Sequence, residues 1–303
     1  MSKRNQQVRD INGVVLLDKA SGSSSNHVLQ QVKRLFGANK AGHTGSLDPL
    51  ASGLLPICLG QATKVAQFLL DDDKRYLVRA KFGQVSSTGD SEGKIVNFGP
   101  TKGVDESSIK TILSQFIGDI HQIPPMYSAL KRQGTPLYKL ARKGIEIERP
   151  PRPVTIHKIN FLNFEHEVLS LDVFCSKGTY IRTLVEDIGK SLGCGGYVIE
   201  LRRTGFSHLD LSGSKTYEEL LKLKEQNLES LDSVILGADE MLPSFESVYL
   251  DSEQTGDIRL GKKIKYLGFS ASQKLKLYDH NEQFIGIGES NLMSEIFPKR
   301  LFV

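Results

Sequence analysis

The segment between residues 169 and 193 constrains the fold more than any other part of the chain. Its first half alternates apolar with other side chains, which predicts a half-buried β-strand with the inner face Leu169, Leu171, Val173 and Cys175. The spacing then changes to three and four residues, which predicts a helix with the apolar face Ile181, Leu184, Val185, Ile188 and Leu192. Gly193 is a suitable stop for that helix. A strand that runs into a helix indicates a mixed α/β domain, with Tyr180 and Arg182 at the junction.

Other parts of the first 240 residues show the same mixture of periods. Residues 13–17, 54–59 and 74–82 are predicted strands, and Pro56 in the second of them indicates an edge strand or a bulge. Helical spacing follows Ser24 or Ser25, either of which is a suitable N-cap. Further helices are predicted over residues 63–70, 109–116 and 217–224.

The pattern changes between Asp239 and Ser247, where helical spacing stops and Pro243 interrupts the chain. Beyond this point the chain has short extended runs at residues 264–266, 275–278 and 284–287. We therefore predict a large domain over residues 1–240 and a small β-rich module over residues 245–303.

Composition indicates an ordinary globular protein, with 39% hydrophobic and 24% charged residues. No apolar run approaches the ~18 residues that span a membrane, and the N-terminal residues do not resemble a signal peptide. Cys58, Cys175 and Cys194 are scattered and odd in number, so we expect buried thiols instead of disulfides or a cysteine-rich zinc site. These features predict a cytoplasmic protein.

The net charge of +4 is weak evidence for a polyanionic partner, but the charged residues are unevenly distributed along the chain. Between residues 131 and 152 there are two acidic residues, Glu146 and Glu148, and seven basic ones: Lys131, Arg132, Lys139, Arg142, Lys143, Arg149 and Arg152. Such a stretch suits a nucleic-acid backbone, and it equally suits a solvated face. Charge alone leaves both possibilities open.

One acidic residue, Asp48, stands in a loop of glycines, hydroxyls and small apolar residues over positions 41–55, which holds no Lys or Arg. Pro49 keeps Asp48 out of the helical region, and the glycines let the backbone approach a ligand closely. The loop therefore suits a carboxylate that faces a substrate. An Asx-type turn, in which Asp48 bonds only nearby backbone, is the alternative.

This loop resembles the signature motif of the TruB family of pseudouridine synthases, which isomerise uridine in the TΨC arm of tRNA. Other blocks match in the same order: residues 13–25, 60–64, 74–76, 83–93, 124–131, 177–182 and 200–204. Ala20 departs from the pattern, because the family commonly has proline there.

The resemblance implies an α+β fold, with a large mixed α/β catalytic domain around a central, mainly antiparallel sheet. It also implies a small C-terminal β-barrel-like module of the PUA type and an RNA-binding insertion at about residues 124–153. The expected protein is a monomer that needs no cofactor or metal, binds the TΨC stem-loop of tRNA and does not bind membranes.

The resemblance also implies roles for three residues in the reaction. Asp48 corresponds to the essential aspartate, and Arg182 would pair with it and lower its pKa. Tyr76 would stack on the uracil and assist proton removal from C5. The resemblance leaves open whether Asp48 attacks the base, attacks C1′ or removes the 2′ proton.

The target base must leave its stack to react, and the remaining candidates would assist that step, line the pocket or support the site. His43 would fill the vacated space, Tyr180 and Leu201 would line the pocket, and Asp90 would be a second acid near the arginine. Lys64, like Lys19, would contact phosphate or support the structure.

Three other functions fit parts of the pattern. A P-loop over residues 37–44 is rejected, because His43 replaces the essential lysine and a helix precedes the loop. A non-catalytic RNA-binding protein or tRNA-folding chaperone would explain the basic stretch but not Asp48, Tyr76 and Arg182 together. A guide-RNA-dependent enzyme would share the motif, but the short C-terminal module favours a stand-alone enzyme.

Overall fold

A computed structural model describes residues 8–266, 268 and 272–302; the first seven residues of the predicted large domain lie outside this range. The strands before residue 211 are β1 (Gly13–Lys19), β2 (Ala41–His43), β3 (Ser52–Leu59), β4 (Lys74–Phe82), β5 (Gln84–Ser86), β6 (Ile95–Asn97), β7 (Gly118–Gln122), β8 (Lys131–Arg132), β9 (Thr135–Pro136), β10 (Arg152–Glu165), β11 (Val168–Cys175), β12 (Gly196–Phe206) and β13 (Leu209–Asp210). The helices before residue 233 are α1 (Ser25–Phe36), α2 (Ala66–Leu69), α3 (Glu106–Ser114), α4 (Leu137–Ala141), α5 (Ile181–Ser191), α6 (Tyr217–Gln226) and α7 (Leu228–Asp232).

Nine strands of the described chain form one sheet in the order β1-β3-β12-β4-β11-β10-β7, with β2 on β3 and β13 on β12. All pairs are antiparallel except β3 with β12. Alternation along β4 divides the sheet into two faces, because Val78, Ala80 and Phe82 are buried whereas Leu77 and Arg79 are exposed. The main core therefore lies on one face, between the sheet and the helices.

Pro56 lies inside this sheet, so the expectation of an edge strand or bulge was wrong. β1 pairs along the whole of β3 in regular register, with Leu16 opposite Pro56. On the other side, β2 pairs only with residues 57–59 and β12 only with Ser52 and Gly53. Pro56 falls between these two partners, where a missing N–H breaks no ladder bond on that side.

Helices α1 and α5 begin and end close to where the sequence predicts. Ser24 caps α1, since its hydroxyl accepts a bond from the His27 amide, and Gly37 ends the helix in the left-handed region. Helix α5 starts directly after Tyr180. It packs closely on the start of β12, because a Cβ on Gly189 would lie 2.4 Å from a backbone carbon of Gly195. The predicted helix over residues 63–70 is instead a 3-10 turn, Gly60–Lys64, followed by the short α2.

The C-terminal module consists of β14 (Glu246–Tyr249), α8 (Ser252–Arg259), β15 (Ile264–Lys265), β16 (Lys274–Tyr278), β17 (Phe284–Ser290) and β18 (Glu295–Leu301). Its strands form a sheet in the order β14-β16-β17-β18-β15 around a core of its own. The helix α8 was not predicted. A second apolar cluster joins the module to the large domain, where Ile287 packs with Leu54, Phe206 and Met241.

The fold is α+β as predicted, with a large mixed domain and a small β-rich module. All three cysteines are buried free thiols, which confirms that expectation. Among the described helices, none is both long and apolar enough to span a membrane.

Candidate active site

A cavity of about 470 Å³ lies where the Asp48 loop, the start of α1, the segment before β6 and the insertion meet. Its wall includes Ser24, Asn26, His43, Asp48, Thr88, Asp90, Glu92, Tyr127, Tyr138, Arg142 and Arg182. A larger groove of about 600 Å³ crosses the open face of the sheet near Arg75 and Asp172, but it contains none of the predicted site residues. The smaller cavity is therefore the candidate active site.

Asp48 and Arg182 form the ion pair at its centre, with Asp48 Oδ2 2.9 Å from Arg182 Nε. The Arg182 side chain is 5% exposed, whereas that of Asp48 keeps 41% of its surface open to the cavity. The pair therefore presents the carboxylate to a ligand and hides the cation behind it.

The remaining donors of Arg182 fix the guanidinium in place. Nη1 donates to the Thr88 carbonyl at 2.7 Å, and Nη2 donates to the Tyr127 carbonyl at 2.7 Å. Nη1 also lies 3.5 Å from Asp90 Oδ2. One side chain from α5 thus joins the Asp48 loop, the segment that carries Asp90 and the insertion.

The pKa of Asp48 differs from the expectation. Burial raises the pKa of the Asp48 carboxyl, and nearby Asp90 raises it further; Arg182 and Lys19 lower it without reversing the shift. The pairing with Arg182 is therefore as predicted, but the predicted net lowering of the Asp48 pKa was wrong. Loss of water around the carboxylate outweighs one cation that is shared between two acids.

Asp90 is a buried acid in the same network. It is 2% exposed, and its Oδ1 accepts bonds from the Thr88 hydroxyl at 2.6 Å and the Glu92 amide at 3.1 Å. Glu92 lies beside Asp90 and is largely exposed; its sequence position did not identify it as a site residue. Partial loss of water, together with the charges of Asp90 and Asp48, raises the pKa of its carboxyl. Asp48 and Asp90 thus lie within ion-pair distance of Arg182, and Glu92 is close enough to interact with its charge.

Tyr76 lies on β4 directly opposite Arg203 of β12. It is half-buried and packs against the main core. Burial raises the pKa of the Tyr76 phenol; the charge of Arg203 lowers it, and Asp48 raises it. Tyr76 is thus close enough to Asp48 for the two groups to interact electrostatically.

His43 and Tyr180 flank the same region. The Gly45 amide donates to His43 Nδ1 at 3.4 Å. Burial and the charge of nearby Arg203 lower the pKa of His43, which favours the neutral ring. Tyr180 is tied through its backbone to the Gln122 side chain by bonds of 2.9 and 3.3 Å. Burial, and to a lesser extent the charge of Asp48, raises the pKa of its phenol.

Leu201, Lys19 and Lys64 lie outside the cavity wall. Leu201 is buried in the main core. The Lys19 ammonium donates to the carbonyls of Ala20, Pro49 and Ala51 at 2.9, 3.3 and 2.6 Å, which holds the loop behind Asp48.

Lys64 is distant from the other candidates. Its ammonium donates to the Leu301 carbonyl at 2.6 Å, which connects the large domain to the C-terminal module. The structure thus gathers Asp48, Asp90, Arg182 and His43 around one cavity, with Tyr76 and Tyr180 near it.

Comparison with solved structures shows the fold. The chain superposes on the structure described as "Crystal Structure of a Cbf5-Nop10-Gar1 Complex" with a TM-score of 0.74 and 22% identity, covering 99% of this chain and 92% of that one. A second, "Structure of H/ACA RNP bound to a substrate RNA containing 2'-deoxyuridine", gives a TM-score of 0.72 and 22% identity, covering 96% and 85%.

Comparison of sequences shows the family. The description "TruB family pseudouridylate synthase (N terminal domain)" matches residues 33–181. "tRNA pseudouridylate synthase B C-terminal domain" matches residues 182–243, and "Pseudouridine synthase II TruB, C-terminal" matches residues 247–302.

Curated relatives match over nearly their whole length. The chain is 48% identical over 305 residues to tRNA pseudouridine synthase B of Actinobacillus pleuropneumoniae serotype 5b (strain L20), covering 99% of each. It is 47% identical over 308 residues to the protein of that name from Shewanella sp. (strain MR-7), covering 99% of this chain and 97% of the relative. These matches define an enzyme of the pseudouridine synthase class. Within that class, the chain belongs to the TruB family.

Proposed function

We propose that this enzyme converts uridine 55 in the TΨC loop of tRNA to pseudouridine. The conversion breaks the N1–C1′ bond, turns the uracil over and forms a C5–C1′ bond. N1 gains a proton and C5 loses one, so the reaction needs no redox partner, metal or energy donor. It needs a carboxylate beside the sugar, a pocket for the detached base and an acceptor for the C5 proton.

The observation that carries this proposal is the half-exposed Asp48 held by a buried Arg182. A carboxylate that only stabilised the fold would have no reason to face an open cavity. Arg182 holds Asp48 in one orientation, and the neighbouring Asp90 shares the charge of the guanidinium. We propose that Asp48 is the group that acts on the flipped nucleotide.

Residues in and near the cavity wall supply binding and proton transfer in this proposal. Tyr76 stacks on the uracil and takes the C5 proton, Tyr180 and Leu201 shape the pocket, and His43 supports the space that the flipped base leaves. The cavity of about 470 Å³ lies within the range of about 300–1,000 Å³ usual for small-ligand sites.

The basic residues of the insertion suit the tRNA backbone. Lys131, Arg132, Lys139, Arg142 and Lys143 are exposed there, and Arg142 also reaches the cavity wall. We propose that residues 124–153 bind the TΨC stem-loop and that the module at residues 245–303 is a PUA-type RNA-binding module. The enzyme acts as a monomer on this proposal.

A tRNA-folding chaperone is the second candidate, because the same basic surface would bind and open a tRNA arm. The two functions are compatible in one protein. A guide-RNA-dependent enzyme is less favoured, since the chain spans nearly the whole length of its tRNA pseudouridine synthase B relatives.

Release of tritium from tRNA transcript labelled at uracil C5 tests the proposal. We expect release by the unaltered enzyme, none by Asp48→Asn, and tRNA affinity within a few-fold for both. Asp119→Asn, which changes an exposed carboxylate on β7, should retain full activity. Tight tRNA binding without any release by the unaltered protein would favour the chaperone, and substantial turnover by Asp48→Asn would remove Asp48 from its role.

A further inference from the structure

Arg203 is the largest fully buried side chain in the described part of the protein, with 1% of its surface exposed. It lies on β12 in register with Tyr76 on β4, so the two side chains are cross-strand neighbours on the same face of the sheet. The sequence block at residues 200–204 contains Arg203, but nothing in its spacing separated it from Arg202.

The hydrogen bonds of Arg203 reach the loop that carries Asp48. Its Nε donates to the Leu54 carbonyl at 2.7 Å, and its Nη2 donates to the Gly45 carbonyl at 3.2 Å. The backbone is also packed tightly there, because a Cβ on Gly53 would lie 2.2 Å from the Arg203 carbonyl oxygen. Arg203 therefore connects the strand opposite Tyr76 to both ends of the Asp48 loop.

No carboxylate within residues 8–266, 268 and 272–302 forms an ion pair with Arg203. The Phe206 ring centre lies 5.6 Å from the Arg203 guanidinium carbon. The guanidinium donates hydrogen bonds to the Leu54 and Gly45 carbonyls and also bonds to the Tyr76 side chain. Burying a charge without a counter-ion is unfavourable. Because little water screens a buried guanidinium, its charge acts on the ionisable groups beside it.

The ionisable groups around this pair come from four strands. Lys19 of β1, His43 of β2 and Lys74 of β4 are each influenced by the Arg203 charge. Tyr76 is influenced by Arg203, by Cys175 of β11 and by Asp48. Among these neighbours, Tyr76 is the acid whose anion the arginine would stabilise and which also interacts with the charge of Asp48 at the cavity.

We propose that Arg203 is a positioning residue that keeps its charge beside the Tyr76 oxygen and thereby makes that oxygen the acceptor of the C5 proton. This inference rests on the proposed function. In the step, the C5–H bond breaks, its proton bonds to the Tyr76 phenolate oxygen, and its electron pair restores the uracil double bond. The phenol later returns the proton to water. The guanidinium increases the fraction of enzyme in which the phenolate is present.

Single-turnover rates on tRNA with hydrogen or deuterium at uracil C5, measured from pH 6 to pH 9, test the proposal. Arg203→Met should lower the rate at pH 7 about tenfold or more, and the loss should shrink as the pH rises. A deuterium isotope effect larger than that of the unaltered enzyme should accompany the loss, because proton removal becomes slower. Arg202→Met is the matched control; Arg202 pairs with Asp18 at 2.6 Å on the other side of β12 and should show none of these changes.

Two further variants exclude a purely structural effect. Arg203→Lys keeps the charge, so its pH profile should remain close to that of the unaltered enzyme even if its rate falls through loss of the carbonyl bonds. In a Tyr76→Phe background, Arg203→Met should cause no further decrease in the rate of proton removal from C5. An equal loss at every pH without an isotope effect, a Lys variant that behaves like the Met variant, or an undiminished loss in the Tyr76→Phe background would each overturn the inference. Absence of pseudouridine formation by the unaltered enzyme would instead contradict the proposed function itself.

Discussion

Arg182 Nη2 donates a hydrogen bond of 2.7 Å to the Tyr127 carbonyl, which joins helix α5 to the insertion. The same guanidinium pairs with Asp48 through Nε. A movement of the insertion at Tyr127 would therefore shift the Arg182 guanidinium and change the orientation of the Asp48 carboxylate.

Replacing Arg182 by Lys keeps the charge but removes the planar set of donors. One ammonium cannot reach Asp48, the Thr88 carbonyl and the Tyr127 carbonyl together, so the orientation of Asp48 is lost. We expect turnover to fall about 100-fold or more, with tRNA affinity changed by less than about threefold. Single-turnover kinetics and filter binding measure the two effects. Arg79→Lys, at an exposed pair with Glu200, should be neutral, and an Arg182→Lys enzyme within threefold of the unaltered rate would contradict this role.

The exposed lysines of the insertion should determine part of the salt dependence of tRNA binding. Changing Lys139 and Lys143 to Ala removes up to two phosphate contacts, so the slope of log affinity against log salt should fall by about one to two. Binding titrations between 50 and 300 mM salt would show this. The control is the double variant Lys110→Ala with Lys222→Ala, which changes two exposed lysines on α3 and α6 and should leave the slope unaltered. Equal slopes for the two double variants would argue against the insertion as the RNA-binding surface.

Glu186, on α5 one turn after Arg182, should make the protein less stable as the pH rises. Burial raises the pKa of its carboxyl from 4.5 to about 7; Arg182 opposes the shift, and Asp187 and Asp90 add to it. The folded chain thus keeps a proton that the unfolded chain loses, so the contribution of Glu186 to stability is fully present below pH 4.5 and is lost as the pH rises to about 7.

Glu186→Gln should remove this part of the pH dependence. We expect the free energy of unfolding at pH 8 to rise by about 1–2 kcal/mol, with little change at pH 4.5. Urea denaturation at the two pH values gives the comparison, with the exposed Glu165→Gln as the control. A Gln variant that is less stable at pH 8 would show that the Glu186 charge is stabilising.

Lys64→Met should separate a structural role from a phosphate contact. The bond from Lys64 Nζ to the Leu301 carbonyl is lost while the apolar stem remains, so the free energy of unfolding should fall by about 1–2 kcal/mol. tRNA affinity should stay within about twofold in the same protein. Unchanged stability with strongly weakened binding would instead support a phosphate contact by Lys64, the other role that its sequence position allows.

Local patterns predicted the parts of this structure that depend on neighbours in sequence. The period of two at residues 169–175 is the strand β11, and the spacing after residue 180 is the helix α5, because amphipathic elements bury one face regardless of their partners. The prediction for Pro56 was wrong because its tolerance depends on which strands lie beside β3, and one of those partners, β12, is distant in sequence.

The sequence by itself determined the α+β class, the family and the loop that presents Asp48, since these depend on residue types at fixed local spacing. Only the tertiary structure decided that Arg182 joins Asp48 to Tyr127, that Lys64 bonds to the C-terminal module, and that Arg203 lies buried beside Tyr76. It also decided the direction of the Asp48 pKa shift, against the simple expectation for a carboxylate beside an arginine. Desolvation and charge act through space, so their balance is set by every group that folding brings near the carboxylate and by the water that it removes.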